Sequence, residues 1–374
     1  MKRRQLLGYT AAGTATAALA ACGPSNPTAA PSSEAGSSGG TGNLPKLKWQ
    51  MATSWPVSLD ALQGSALHIA ERVAAMSDGQ FEIEVFAGGE IVPGLQVLDA
   101  VQSGTVQCGH SPTYYYVGKN SALAFGTAVP FGLNAQQQNA WLYHGGGIEA
   151  MNEILKDFNT IAFPAGNTGT QMGGWFKREI KTIADLQGLK MRIPGLGGQV
   201  LTRLGVNAQV LPGGEVFLAL ERGAIDAAEW VGPYDDEKLG LQKAAPYYYA
   251  PGWWEPGATL DLMINLEAWN QLPPVYQEIL RVAAAEANQY CLSLYDARNP
   301  AALKRLIDSG AQLRTFSPEI LQACQKEAFA LYAEMGAENP AFQTVFEQWQ
   351  QFRQDIYQWH QVGELSFGSF VMQS

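Results

Sequence analysis

Four polar residues of this chain stand among apolar neighbours, where each must have a partner or a task. Gln171 lies in Asn167-Thr168-Gly169-Thr170-Gln171-Met172-Gly173, and Arg192 in Lys190-Met191-Arg192-Ile193-Pro194-Gly195. Glu229 lies in Ala228-Glu229-Trp230-Val231, and Glu255 in Trp254-Glu255-Pro256. A carboxylate in apolar surroundings needs a cation or strong donors to stay ionised. Two arrangements meet that need for Glu229 and Glu255. Each can pair with a lysine or arginine at a domain edge. Alternatively, a metal ion lies between them and Gln171 adds a neutral amide oxygen. Ligation by oxygen alone points to a hard cation, Na⁺ or Ca²⁺, rather than zinc. Arg192 also has two readings. It sits at the C-terminal end of a strand, where α/β folds bind ligands. There its planar fork can grip a carboxylate through two parallel hydrogen bonds. The other reading is a structural salt bridge. The following Gly195-x-Gly197-Gly198 run lacks the third glycine of a dinucleotide loop, so a nucleotide is not indicated.

The elements that must position these residues follow from periodicity. Alternating or apolar runs at 46–52, 81–86, 106–109 and 159–164 predict strands, and 59–76, 95–102 and 135–156 predict helices. A second set starts near residue 169, with strands at 172–176, 189–193, 208–211 and 227–231 between shorter helices. Such β-then-α alternation implies mostly parallel sheets with helices on their faces. Residues 259–265 read as a strand returning to complete the first sheet. A helical stretch over 273–309 is long enough to span two domains, with Pro300 expected to kink or end it. A late strand at 311–315 and helices at 318–335 and 340–359 complete the chain. The expected fold class is therefore α/β in two lobes. Lobe 1 comprises 45–167 plus about 259–315, lobe 2 comprises 168–258, and C-terminal helices occupy 316–374.

Composition narrows the function. The 374 residues are 47% hydrophobic, enough for a substantial core. The formal net charge is −10, and about −13 once Lys2, Arg3 and Arg4 are removed with the leader described below. Such acidity argues against nucleic acid and against adhesion to anionic lipid. Cys22, Cys108, Cys291 and Cys324 show no Cys-x-x-Cys spacing, and His68, His110, His144 and His360 are scattered. No zinc motif, nucleophile elbow or P-loop occurs. Buried small hydrophobes with at most one disulfide is the reading for the last three cysteines.

The start of the chain bears on location. Lys2-Arg3-Arg4, an uncharged apolar run and Leu19-Ala20-Ala21-Cys22 have the order of an export signal. The last four residues resemble a bacterial lipobox, with Cys22 as the lipidated new N-terminus, and Arg3-Arg4-Gln5-Leu6-Leu7 resembles a twin-arginine motif. A plain secretory signal with a chance cysteine is the alternative. Residues 23–44, almost all Gly, Ser, Pro, Ala and Thr, read as a disordered linker tethering a globular body at the outer face of a membrane.

Three segments carry a family resemblance. Asp226-Ala227-Ala228-Glu229-Trp230-Val231-Gly232-Pro233-Tyr234-Asp235-Asp236 is similar to a signature of TRAP-transporter substrate-binding proteins of the 2-oxo acid and lactate type. So are Thr182-Ile183-Ala184-Asp185-Leu186-Gln187-Gly188-Leu189-Lys190-Met191-Arg192 and Tyr114-Tyr115-Tyr116-Val117-Gly118-Lys119. The resemblance implies a periplasmic-binding-protein-like fold of two lobes that close on a ligand, with the long helix spanning both. It implies that Arg192 clamps the ligand carboxylate. It further implies that Gln171, Glu229, the Trp230 backbone carbonyl and Glu255 hold the metal, whose shell the ligand completes. Tyr114, Tyr115 and Tyr116 could line the apolar side of the ligand, or simply pack. The implied partners are a small monocarboxylate and the membrane subunits of a TRAP permease. Some members dimerise through a C-terminal helix, and the aromatic stripe at 348–361 is a candidate for that contact or for core packing. Two rival expectations are a receptor for another organic acid or amino acid, and an exported metal-dependent enzyme with Glu255 as its base.

Overall fold

The computed structural model describes residues 44–373. The export-type leader ending at Cys22, the twin-arginine motif and the linker up to residue 43 lie outside the described residues. Among the described residues, eleven strands form two sheets. The first contains β1 (Leu47–Thr53), β2 (Phe81–Phe86), β3 (Cys108–Ser111), β4 (Thr160–Asn167) and β10 (Thr259–Asn265), in the order β2-β1-β3-β10-β4. The second contains β5 (Gly174–Phe176), β6 (Lys190–Arg192), β7 (Asn207–Gln209), β8 (Ala227–Ala228), β9 (Tyr247–Ala250) and β11 (Gln312–Thr315), in the order β11-β9-β5-β8-β6-β7.

Both sheets are mixed, which corrects the expectation of mostly parallel ones. β10 crosses back from the second sheet and inserts antiparallel between β3 and β4. β5 runs antiparallel to both β8 and β9. All seven residues of β10 are buried, because its neighbours cover both edges and helices cover both faces. The late strand is a second correction. β11 pairs with β9, so residues 312–315 complete the second sheet and not the first. A third concerns 135–156, which forms two helices, Ala135–His144 and Gly147–Leu155. Gly146, at φ 82°, takes the left-handed backbone that glycine tolerates and an ordinary residue resists. Asn134 and Gln137 close a reciprocal capping box at the start of the first of these helices.

The helix Pro274–Asp308 runs unbroken through Pro300. It packs on β4 and on the helix Leu62–Met76 in the first lobe, and on the helix Pro233–Leu239 in the second. Pro300 lacks one N–H but does not end the helix. Its neighbour Asn299 accepts the Tyr234 backbone N–H at 3.0 Å, tying the second lobe to this rod. Among the described residues no helix is long and apolar enough to cross a membrane. Cys108, Cys291 and Cys324 are buried and free.

The seam between the sheets is itself a core. Trp55, Leu59 and Leu62 of the first lobe pack with Trp175, Val216, Trp230 and Val231 of the second. At its edge Tyr234 donates to Asp60 at 3.0 Å, and Lys238 pairs with the same carboxylate. Beneath the seam lie two buried acids. Asp236 accepts from Tyr248 at 2.7 Å, Trp175 at 3.0 Å and the Val231 N–H at 3.3 Å, whereas Asp235 accepts from Tyr295 at 2.7 Å. Burial pushes Asp235 up to about 7. The folded state therefore holds a proton that the unfolded chain releases near 3.8, and stability contributed by this group falls as pH rises from about 4 to 7. Asp235→Asn should make calorimetric melting temperature fall less between pH 5 and 8 than in the parent; an unchanged slope would contradict this.

Candidate functional site

Four chain segments converge beside the seam, and each brings one of the polar residues singled out in the sequence. Arg192 ends β6, and Glu229 follows β8, which lies beside β6 in parallel register. Gln171 lies on the connection from β4 to β5, and Glu255 on the connection from β9 to β10. Backbone bonds sew these segments together. Glu229 N–H donates to the Arg192 carbonyl at 3.2 Å, Gln171 N–H to that of Glu255 at 3.3 Å, and Met172 N–H to that of Val231 at 3.0 Å. All four side chains are at most 3% exposed.

Arg192 spends its donors within this cluster. Nη1 donates to a carboxylate oxygen of Glu229 and, at 3.0 Å, to the Glu229 carbonyl. Nε donates to the Leu211 carbonyl at 3.2 Å, and Nη2 reaches the Tyr115 hydroxyl at 3.4 Å. The guanidinium lies 4.7 Å from the centre of the Trp230 ring, a cation–π contact. Burial works against its charge, but Glu229 opposes that and holds its pKa above the ordinary value.

The acids are less well served. Burial pushes Glu229 up to about 7 although Arg192 pulls the other way. Burial, followed by repulsion from Glu229, holds Glu255 well above the usual carboxylate range. Glu229 Oε2 has no hydrogen-bond partner; the Trp254 indole N–H eases its charge without closing a bond. Tyr114 donates to Glu255 at a long 3.5 Å. Gln171 has a fixed orientation. The Thr168 hydroxyl donates to the Gly169 carbonyl at 3.0 Å, so it must accept from Gln171 Nε2, also at 3.0 Å. Gln171 Oε1 is left buried and without a partner. Sequence reading missed Thr168, which lies only three residues before Gln171.

Two acceptor oxygens without donors and two carboxylates that repel each other are what a hard cation would relieve. Gln171, Glu229 and Glu255 therefore fit such an ion. Among the described residues no group of three or more His, Cys, Asp or Glu could hold a metal. This set has only two carboxylates, completed by an amide oxygen.

The tyrosines separate. Tyr114 and Tyr115 stack at 5.0 Å and both face the cluster. Tyr116 does not: its hydroxyl lies 3.0 Å from that of Ser111 and accepts the Leu98 N–H at 3.1 Å, inside the first lobe. The structure therefore does not bring Tyr116 to the cluster with Tyr114 and Tyr115. These residues form a 3₁₀ turn, where consecutive side chains point about 120° apart. The glycine-rich turn after Arg192 has a packing purpose. A β-carbon on Gly195 (φ 63°) would lie 2.4 Å from Tyr114, and one on Gly197 would lie 2.7 Å from Trp254.

The model of the bacterial extracellular solute-binding proteins, family 7, matches residues 51–339. The chain belongs to this family. It is thus a solute-binding protein of the TRAP-transporter type and not an enzyme. A monocarboxylate 2-oxoacid-binding periplasmic protein from Nostoc sp. is 59% identical over 374 residues, 100% of both chains. A TRAP transporter solute-binding protein from Bordetella bronchiseptica is 48% identical, with a TM-score of 0.87 over 88% of this chain and 98% of that one. That structure is a mixed-occupancy dimer with calcium and picolinate in one site and the other site apo. A third relative, from Pseudoalteromonas atlantica, is 37% identical, with a TM-score of 0.84 over 87% of this chain and 99% of that one, and holds sodium and pyruvate.

The Arg192–Glu229 pair should be strongly coupled in this solute-binding protein. Glu229→Ala leaves a buried guanidinium uncompensated, an expected loss of about 3 kcal/mol or more of stability without ligand. In a double-mutant cycle by urea unfolding, Glu229→Ala with Arg192→Ala should cost at least ~1 kcal/mol less than the sum of the single changes. Additive losses would contradict the pairing.

Proposed function

We propose that this protein is the extracytoplasmic receptor of a TRAP transporter for small 2-oxo or 2-hydroxy monocarboxylates, resembling pyruvate or lactate. The observation that carries the reading is the pair of partnerless buried oxygens, Gln171 Oε1 and Glu229 Oε2, within one cluster with Arg192. In this reading a hard cation binds Gln171, Glu229, the Trp230 carbonyl and Glu255, and supplies the positive charge that holds the ligand's carboxylate and 2-oxygen. Arg192 exchanges part of its contact with Glu229 for the ligand carboxylate. Tyr114 and Tyr115 close the site from the first lobe, and the Trp230 ring backs the guanidinium.

Charge counting separates the two candidate ions. One guanidinium, two glutamates and a ligand carboxylate sum to −2. Ca²⁺ brings the buried total to zero, whereas Na⁺ leaves one negative charge unless a glutamate keeps its proton. Burial raises both glutamates in the site without an ion, and a bound cation would draw them back down. The relatives' contents, calcium in one and sodium in another, support either ion.

Delivery to permease membrane subunits, export, and a lipid tether at Cys22 belong to the same reading. Self-association does too. The stripe at 348–361 is divided: Trp349 is buried, whereas an apolar face opens at Trp359 (64% exposed) and continues through Val362, Phe367, Phe370 and Met372. That face is the proposed contact with a second copy, in keeping with the dimeric Bordetella relative.

Calorimetric titration of the purified protein with pyruvate and lactate tests the reading, in Ca²⁺, in Na⁺ and after chelator and dialysis. Binding that requires a cation is expected. Arg192→Ala should weaken it by at least ~2 kcal/mol, because a buried charged hydrogen-bond pair is lost. Glu229→Gln should weaken ion and ligand together; binding of either acid at full strength without any cation would refute the shared shell.

A further inference from the structure

A small chamber lies beside Gln171. It is lined by Tyr114, Tyr115 and Gln171 together with the wall residues Leu62, Ala258 and Leu260. It holds about 10 Å³ of space open to the centre of a water-sized sphere, roughly the room of a single water. The three wall residues are at most 3% exposed, and no charged side chain lines the chamber.

The wall comes from the first lobe and from the connection that leads into β10. Leu62 opens the first long helix and packs in the seam core. Leu260 lies opposite Gly166 across the β4–β10 ladder, where a β-carbon on Gly166 would come within 3.0 Å of the leucine side chain. Glycine on β4 thus gives Leu260 its place. The Ala258 carbonyl accepts the backbone N–H of Thr168 at 3.0 Å, and Thr168 also orients the Gln171 amide. Thr168 thus ties the Ala258 backbone to the Gln171 amide, one of the proposed ion ligands.

We infer that Leu62, Ala258 and Leu260 are specificity-determining residues that set the length and branching of the ligand's side chain. The inference rests on the proposed 2-oxo acid reading. A 2-oxo acid held by Arg192 and a cation has its carboxylate and 2-oxygen pinned. Only the substituent on its third carbon is free to extend, and the chamber shares Gln171, Tyr114 and Tyr115 with the site proposed to pin the other end. Each added methylene gains about fourfold in affinity where room exists. It loses tenfold or more where a packed wall must move. A second carboxylate on that substituent would meet no cation in the chamber and is disfavoured.

The test is the ratio of dissociation constants for 4-methyl-2-oxopentanoate and pyruvate, measured on the full chain with saturating Ca²⁺. Leu260→Ala should move the ratio at least about tenfold toward the branched acid. Ala258→Val should move it in the opposite direction, with the need for a cation retained in both. Leu62→Ala, on a different element, should repeat the Leu260→Ala shift and serves should that variant fail to fold by thermal melt. A ratio that stays within about twofold of the parent in the folded variants, even with both affinities altered, overturns the assignment. If the parent binds no 2-oxo acid with any cation, the functional reading itself fails, and the assignment with it.

Discussion

The architecture around the site is organised by one ion pair that water cannot reach. Arg192 and Glu229 come from the ends of adjacent parallel strands, and neither could be buried alone at tolerable cost. Bringing β6 beside β8 places the two charges together and leaves the second oxygen of Glu229 buried without a partner, with Glu255 near enough for the two carboxylates to repel each other. The guanidinium donates to two backbone carbonyls besides, so the ends of β6 and β8 and the segment at Leu211 are mutually fixed.

The first lobe reaches this pair through neutral polar contacts. His110 is buried, and burial pushes it down to about 4, so its ring is uncharged at neutral pH. It accepts the Trp55 indole N–H at 2.7 Å on Nδ1 and donates from Nε2 to the Ala165 carbonyl at 3.1 Å. That tautomer holds Trp55 in the seam core without adding a charge there. Tyr115 and Tyr114 complete the approach, one at the guanidinium and one at Glu255. The first lobe thus adds hydrogen-bonding groups and apolar surface, and the second lobe supplies the ionic ones.

Much of this arrangement was legible in the residues because it breaks local patterns. Arg192, Glu229 and Glu255 are charges inside apolar runs, and such conflicts are rare unless something answers them. The return strand at 259–265 was legible from its short run of Leu260, Leu262, Met263 and Ile264, broken only by Asp261. What escaped depended on direction or long-range pairing. Thr168 looks like an ordinary loop threonine until its one proton is traced to Gly169. Tyr114, Tyr115 and Tyr116 are chemically alike, and only the tight turn reveals that the third faces away. β11 carries no mark of its sheet, since its partner β9 lies more than 60 residues earlier in the sequence. The break at Gly145–Gly146 was visible in composition but outweighed by the helical periodicity on either side.

Three stretches of chain cross between the sheets: the run from β4 to β5, the run from β9 to β10, and the passage from the long helix into β11. Two extended crossings alone would leave the lobes free to swivel as well as to open. The third begins in a helix of 35 residues, roughly 50 Å of stiff rod braced against both halves. A splint of that kind removes swivel and leaves bending as the soft coordinate. The rim then has few shapes to show, closer to a two-position flag than to a dial. In the receptor proposed above, loading would therefore reach the rim as a change of outline, legible without touching the cargo.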